Sequence, residues 1–156
     1  MKIKNVVCFS FSLGSSNADP MGHLRIVAPF QQMGMRVIPG VENGQIMIDR
    51  VSEGDIVLFQ REFPGRVDDY QKIIQFAHRE GKPIVFDLDD LLFFLPENHP
   101  DRLAQCYTPS LLPMFQLLTE ADLVTVSSPK LRDVLVSYNQ NMIVLPNYFD
   151  DNLWRL

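Results

Sequence analysis

Short, nearly continuous apolar segments recur along this 156-residue chain and limit its fold more than any other feature. Examples are NVVCF, DIVLF, PIVFD, DLVTV and MIVLP. Runs of this kind are typical of strands that are covered on both faces, as in a parallel sheet. The predicted strands cover residues 5–11, 35–38, 55–60, 83–87, 121–127 and 141–145.

Helical patterns lie between these strands. Asp19 as N-cap and Pro20 at the first helical position begin a helix that Gly34 ends. The next helix begins at residue 68 or 69 and ends at residue 81, and two more cover residues 109–119 and 129–138. Residues 41–54 form either a hairpin around Asn43-Gly44 or a short helix. The alternation predicts one Rossmann-like domain over residues 1–156: a doubly wound, open parallel sheet in a three-layer α/β/α arrangement.

Composition restricts the class of protein. An apolar fraction of 46% and a charged fraction of 21% are ordinary for a globular domain. The net charge of -5 and the scattered basic residues argue against a nucleic-acid partner. The unpatterned pair Cys8 and Cys106 favours a reducing compartment, and we expect a cytoplasmic protein. The first residues are interpreted as a strand and not as a signal peptide, and no segment is long enough to span a membrane, although peripheral association stays open.

Polar residues follow several of the predicted strands. In a doubly wound sheet, ligands bind beyond the carboxyl ends of the strands, close to where the strand order reverses. The backbone amides of the loop after the first strand, with a helix N-terminus behind them, could hold an anion such as phosphate. The candidate cleft residues are Gly14, Ser15, Ser16, Asn17, His23, Arg25, Arg61, Asp87, Asp89, Asp90, Ser127, Ser128 and Asn147.

The segment KPIVFDLDDLLFF places three carboxylates directly after a strand. Asp87 and Asp89 have the D-x-D spacing of an aspartyl phosphatase or of a metal-dependent glycosyltransferase. Leu91 stands where such phosphatases carry Thr or Val, and the segment lies mid-chain. Adjacent carboxylates repel one another, so we expect backbone donors or the arginines Arg25 and Arg61 to hold them, and no metal is expected. His78 and His99 lack ligand-like neighbours, which argues against zinc.

Several segments, taken in order, resemble one family. They are DPMGHLRIVAPFQQMGMRV, GDIVLFQRE, GKPIVFDLDDLLFFLPENHP, ADLVTVSSPKLRDVL and IVLPNYFDDNLW. Together they resemble the N-terminal half of a GT-B glycosyltransferase, of the retaining kind often called glycosyl transferases group 1. The resemblance covers almost the whole chain. The chain departs from this family at two places. The loop after the first strand lacks the paired glycines of the family, and no histidine follows the fourth strand at the position where many relatives carry one.

The resemblance implies a two-domain enzyme that transfers a sugar from a nucleotide-sugar donor to a glycan or other acceptor. Its donor-binding C-terminal domain would be absent from these residues, so the chain alone would be inactive. The loop from Gly14 to Asn17 would lie near the donor phosphates, while Phe93, Phe94 and Pro96 would contribute to an acceptor wall or form an apolar clamp. The resemblance implies no cofactor. A non-catalytic Rossmann-like binding module and a magnesium-dependent aspartyl phosphatase remain as alternatives.

Overall fold

A computed structural model of the chain describes residues 3–13 and 20–148. Its strands are β1 (Asn5–Phe9), β2 (Arg36–Pro39), β3 (Val41–Glu42), β4 (Gln45–Ile46), β5 (Ile56–Gln60), β6 (Ile84–Leu88), β7 (Leu123–Val126) and β8 (Met142–Val144). Its α-helices are α1 (Pro20–Gly22), α2 (Ala28–Gln32), α3 (Val67–Arg79), α4 (Pro100–Leu103), α5 (Leu111–Glu120) and α6 (Pro129–Leu135). A π-helical turn, His23–Val27, joins α1 to α2, and 3-10 turns cover Ile48–Glu53, Leu92–Phe94 and Thr108–Ser110.

The main sheet has six parallel strands in the order β2-β1-β5-β6-β7-β8. All six predicted strands are present, and the prediction of an open parallel α/β sheet is confirmed. From β1 the chain moves outward to β2 and then crosses to the other side of β1 to form β5. The strand order therefore reverses between β1 and β5, which is where this class of fold binds ligands.

Both faces of the sheet carry helices. On one face, buried residues of α3, α5 and α6 pack with alternate strand residues, among them Ile73, Leu117, Leu135 and Phe86. On the other face, Ile26 packs with Val6, Cys8 and Leu58. This burial on both sides explains why the strand sequences are continuously apolar and do not alternate with polar residues.

The predicted first helix differs in detail from the observed one. Residues 20–32 are helical, but the Ala28 amide donates to the His23 carbonyl, which is the π pattern. Pro29 is the cause, because it has no amide hydrogen to donate to the residue four positions earlier and its ring would collide with that carbonyl. Asp19, the predicted N-cap, lies outside the described residues. No helix within residues 3–13 and 20–148 is long and apolar enough to cross a membrane.

Residues 41–54 contain both of the alternatives that the sequence left open. Asn43 and Gly44 have φ values of 51° and 75° and join the antiparallel strands β3 and β4, as a type I′ hairpin requires. The 3-10 turn Ile48–Glu53 follows the hairpin and buries Val51 completely. This segment lies between β2 and β5 in the chain, and therefore forms part of the connection that crosses from one side of β1 to the other.

The start of β1 is held by a carboxylate near the start of β5. Asp55 Oδ2 accepts hydrogen bonds from the amides of Lys4 at 2.7 Å and Asn5 at 2.9 Å. These two hydrogen bonds, the one from Lys4 first, lower the pKa of Asp55. A carboxylate whose pKa is lower in the folded state stabilises the fold above its unfolded pKa of about 4 and loses that effect as the pH falls.

We therefore expect Asp55→Asn to lower the melting temperature at pH 7, with the difference from the original protein shrinking below about pH 4. Circular dichroism melts at pH 7, 5 and 3 measure this. Asp68→Asn is the matched control, because the Asp68 side chain is 70% exposed and pairs only loosely with Arg66. A melting-temperature difference that stays constant from pH 7 to pH 3 would contradict the assignment.

Candidate functional site

The carboxyl ends of the parallel strands bring the polar residues of the sequence to one edge of the sheet, here called the rim. Gln60, Asp87 and Thr125 are register partners on β5, β6 and β7. Each of the three lies near the end of a strand whose other residues are all apolar. The sheet register therefore creates a band of polar groups at the edge of an otherwise apolar core.

A buried ion pair between Arg25 and Asp87 lies at the centre of the rim. Arg25 Nε and Nη2 lie 2.8 Å and 2.5 Å from the two oxygens of Asp87, and the Thr125 hydroxyl donates to the same carboxylate at 2.5 Å. The side chains of Arg25 and Asp87 are only 3% and 5% exposed. Burial lowers the pKa of Arg25, but the hydrogen bond and charge of Asp87 outweigh it, and the net pKa is raised. The guanidinium is therefore charged and fully engaged by protein groups.

Arg25 also holds the segment that follows β8. Its Nη1 donates to the carbonyl of Leu145 at 2.9 Å and to Asn147 Oδ1 at 2.7 Å. One side chain of the first helical segment thus joins β6 to the last described part of the chain. The predicted rim residues Arg25, Asp87 and Asn147 are brought together by these contacts.

A second ion-pair cluster surrounds Arg61, which follows β5. Arg61 Nη1 lies 3.0 Å from Asp89 and 3.4 Å from Asp90, and its Nε lies 3.2 Å from Glu62. Its φ of 54° is unusual for a residue with a side chain and directs the chain sharply out of β5. Burial lowers the pKa of the guanidinium, but Asp89, Glu62 and Asp90 together raise it well above its usual value.

Asp89 is the more buried of the two carboxylates of this cluster that follow β6. Its side chain is 4% exposed, whereas that of Asp90 is 62% exposed. Burial raises the pKa of Asp89, the charge of Arg61 opposes that rise, and the neighbouring charge of Asp90 adds to it. The Asp89 carbonyl accepts a hydrogen bond from the Ser127 hydroxyl at 2.6 Å.

These contacts confirm that arginines hold the carboxylates of KPIVFDLDDLLFF. Each buried carboxylate, Asp87 and Asp89, has its own arginine partner. The hydrogen bonds described for Asp87 come from Arg25 and Thr125 side chains, so it does not act as a cap for the following turn. Within residues 3–13 and 20–148, no three His, Cys, Asp or Glu side chains form a group that could hold a metal ion.

Gln60 is a site residue that the sequence reasoning missed. It is 1% exposed, accepts a hydrogen bond from the Ser10 hydroxyl at 2.7 Å and donates to the Met21 carbonyl at 3.4 Å. Ser10 in turn accepts from the amide of Ser12 at 3.0 Å. Gln60 therefore connects the two chain segments that flank residues 14–19, at the point where the strand order reverses. A buried polar residue at the end of the run DIVLFQ was the available signal.

Gly22 brings the same two segments into close contact. A Cβ atom at this position would lie 2.8 Å from the Cβ of Ser12, which is closer than two carbons can approach. The candidate anion-binding residues Gly14, Ser15, Ser16 and Asn17 lie between these anchors but outside the described residues. Their predicted role remains a prediction.

The remaining candidates have local roles in the described structure. Ser128 is the N-cap of α6, and its hydroxyl accepts from the Leu131 amide at 3.2 Å. His23 begins the π-helical turn and is partly buried. Ser127 and Asn147 lie on the rim through the contacts with Asp89 and Arg25 given above.

Two cavities that share Tyr107 in their walls are together called the Tyr107 pocket, and one of them opens beside Arg61. Their volumes are about 430 Å³ and 390 Å³. The walls of both cavities include Leu92, Phe94, Leu95, Asp101 and Tyr107. The first cavity is also lined by Arg61, Asp90, Pro96 and His99. The lining of the second also includes Phe93, Arg102 and Thr108. Phe93, Phe94 and Pro96 thus line an open space, as the acceptor-wall interpretation expects, while Asp101 and Tyr107 were not foreseen.

No protein-family model matches this sequence, and no curated protein matches it at a significant level.

Proposed function

We propose that the chain is the acceptor-side domain of a two-domain GT-B glycosyltransferase, which transfers a sugar from a nucleotide-sugar donor to a saccharide or another acceptor. The observation that carries this proposal is the Tyr107 pocket, which opens on the same edge of the parallel sheet as the Arg25 and Arg61 ion pairs. A pocket at this edge is where an α/β sheet of this class holds its ligand. The ordered motifs of the sequence supply the choice of family.

In this proposal the rim residues hold chain segments in place and take no part in the chemical reaction. The Arg25–Asp87 pair is buried, and its contacts hold the helical segment 20–32 against β6 and the segment after β8. Gln60 and Gly22 keep the two ends of residues 14–19 together. Backbone amides of that segment would then stabilise the negative charge of the departing nucleoside diphosphate. The acceptor would occupy the Tyr107 pocket.

In this proposal a second α/β domain, outside these 156 residues, would supply the donor site. An enzyme of this kind would work in the cytoplasm, where the reduced state of the free cysteines Cys8 and Cys106 would persist. The same division of labour predicts that the 156-residue chain binds an acceptor but does not transfer sugar.

The test extends the reading frame past codon 156 and compares this chain with any longer protein that the frame encodes; a stop codon at that point would contradict the proposal. Both are incubated with a panel of nucleotide sugars and simple glycoside acceptors, and nucleoside diphosphate release and glycoside products are measured. We expect the longer protein to transfer sugar and the 156-residue chain to show no rate above the buffer. Transfer by the short chain, or none by a folded longer protein across the panel, would contradict the proposal.

Hydrolysis of a generic phosphate ester with magnesium is measured in parallel. The phosphatase alternative requires hydrolysis that Asp87→Asn abolishes. The ion pair with Arg25 leads us to expect none, because the guanidinium contacts both oxygens of Asp87. Saccharide binding without transfer by the longer protein would instead support the binding-module alternative.

A further inference from the structure

The charge around the Tyr107 pocket differs from what the presence of Arg61 in its wall suggests. Arg61 would ordinarily attract an anionic ligand. Here its guanidinium already contacts three carboxylates, those of Asp89, Asp90 and Glu62, at 3.0 to 3.4 Å. These three carboxylates already balance its positive charge, so Arg61 does not act as a free anion receptor.

Asp101 adds another carboxylate to the pocket wall. The Tyr107 hydroxyl donates to Asp101 Oδ2 at 3.4 Å, a long hydrogen bond that a ligand hydroxyl could replace. His99 Nδ1 accepts a hydrogen bond from the Asp101 amide at 3.2 Å and lies 3.9 Å from the Asp101 carboxylate, whose side chain is 43% exposed. Asp101 can therefore accept hydrogen bonds from a ligand.

The positive groups nearby do not balance these charges. Arg102 lines one of the two cavities, and its Nη1 donates to the Leu95 carbonyl at 2.7 Å. Lys130 lines a separate cavity on the other side of Asp90. Two carboxylates, Asp90 and Asp101, and two guanidinium groups, Arg61 and Arg102, line the pocket. Glu62 and Asp89 do not line it, but both contact Arg61, so their two further carboxylates leave an excess of negative charge around the pocket.

Phe94 provides an apolar surface within the same pocket. Its side chain is 58% exposed although it is large and aromatic. The face of an aromatic ring is electron-rich, so it attracts polarised C–H groups and cations and repels anions. Open carboxylates beside an exposed ring face suit a ligand with many hydroxyl groups and an apolar C–H face.

We infer that the Tyr107 pocket accepts an uncharged or amino-bearing sugar and rejects sugars with a carboxylate or phosphate group. This inference rests on the proposed function only in identifying that sugar as the acceptor. Asp90 and Asp101 accept hydrogen bonds from its hydroxyl or ammonium groups, and Phe94 packs against its C–H face. An acidic sugar placed there meets Asp90 and Asp101 at short range, while Arg61 is already balanced by its own carboxylates, and this arrangement opposes its binding.

The test measures binding to the 156-residue chain by amide chemical shifts, with methyl glucoside, glucosamine and glucuronate as probes at pH 7. We expect the shifts to map to residues 92–95 and 101–108, with glucuronate binding at least tenfold more weakly than glucosamine. In a variant carrying both Asp90→Asn and Asp101→Asn, this gap should shrink severalfold. High salt should also narrow the gap, because it screens the repulsion. Asp68→Asn, on an exposed part of α3, is the matched control and should leave the gap unchanged.

The inference is overturned if glucuronate binds as tightly as glucosamine, if the shifts map outside the pocket, or if none of the three sugars binds. Each result can be separated from the outcome of the transfer assay. Transfer by the longer protein to acidic acceptors would remove the charge preference and leave the proposed function intact. A charge preference in the pocket without transfer by the longer protein would support the inference and contradict the proposed function.

Discussion

Asp87→Ala is expected to lower the free energy of unfolding by about 3–5 kcal/mol, because it leaves a buried guanidinium without its carboxylate partner. The side chain of Arg25 is 3% exposed, so water is a poor replacement for the lost partner. The Thr125 hydroxyl also loses its acceptor. Urea unfolding followed by circular dichroism measures the change.

Asp90→Ala is the matched control for this prediction. Its carboxylate follows the same strand but is 62% exposed and lies 3.4 Å from Arg61, so its loss should cost about 1 kcal/mol or less. A double variant, Asp87→Leu with Arg25→Met, should recover much of the stability, because it removes both buried charges. If Asp87→Ala costs no more than Asp90→Ala, the ion pair does not have the structural role assigned to it.

Phe63→Ala is expected to cost about 3–5 kcal/mol of stability and to disturb the Arg61 cluster as well. Phe63 is 2% exposed and packs on three other rings, with centroids 5.9 Å from Phe9, 6.5 Å from Phe59 and 4.9 Å from Phe11. Its amide also donates to the Gln60 carbonyl at 3.2 Å, across Arg61. Removing the ring leaves a cavity beneath the turn that orients Arg61. Urea unfolding and the amide shifts of residues 60–65 measure the two effects.

Phe94→Ala separates stability from binding. This ring is 58% exposed, so we expect a change in stability of about 0.5 kcal/mol or less, together with severalfold weaker binding of methyl glucoside. Phe63→Ala, in contrast, should cause a large loss of stability. Equal losses of stability in the two variants would contradict the packing described here.

The prediction of strands and helices succeeded because its signals are local. A run such as PIVFD can be buried on both faces only inside a sheet that is covered on both sides, and β6 forms there. Several element bounds differ from the prediction, for example the first strand ends at Phe9 and the last helix at Leu135. Two of the differences lie where a second local rule competed. Pro29 converts part of the first helix to a π turn, and Pro109 lies in a 3-10 turn before α5.

The candidate site was predicted only in part, for a physical reason. Paired arginines were expected because adjacent carboxylates repel one another, and Arg25 and Arg61 are the observed partners. The Tyr107 pocket was missed, since Asp101 and Tyr107 lie in a segment without a regular pattern, and Gln60 was missed because its hydrogen bonds join residues far apart in sequence.

The sequence by itself determined which segments are strands, that these strands run parallel between helices, and which residue types collect at their carboxyl ends. Only the tertiary structure decided the strand order, the assignment of Arg25 to Asp87 and of Arg61 to Asp89, and the shape of the pocket beside them. The partners in these pairs are separated by 62 and 28 positions in the sequence. A buried charge is stable only when a group of opposite charge lies beside it with the correct geometry. Local sequence patterns do not show which distant residue will lie there, because that depends on how the whole sheet is assembled.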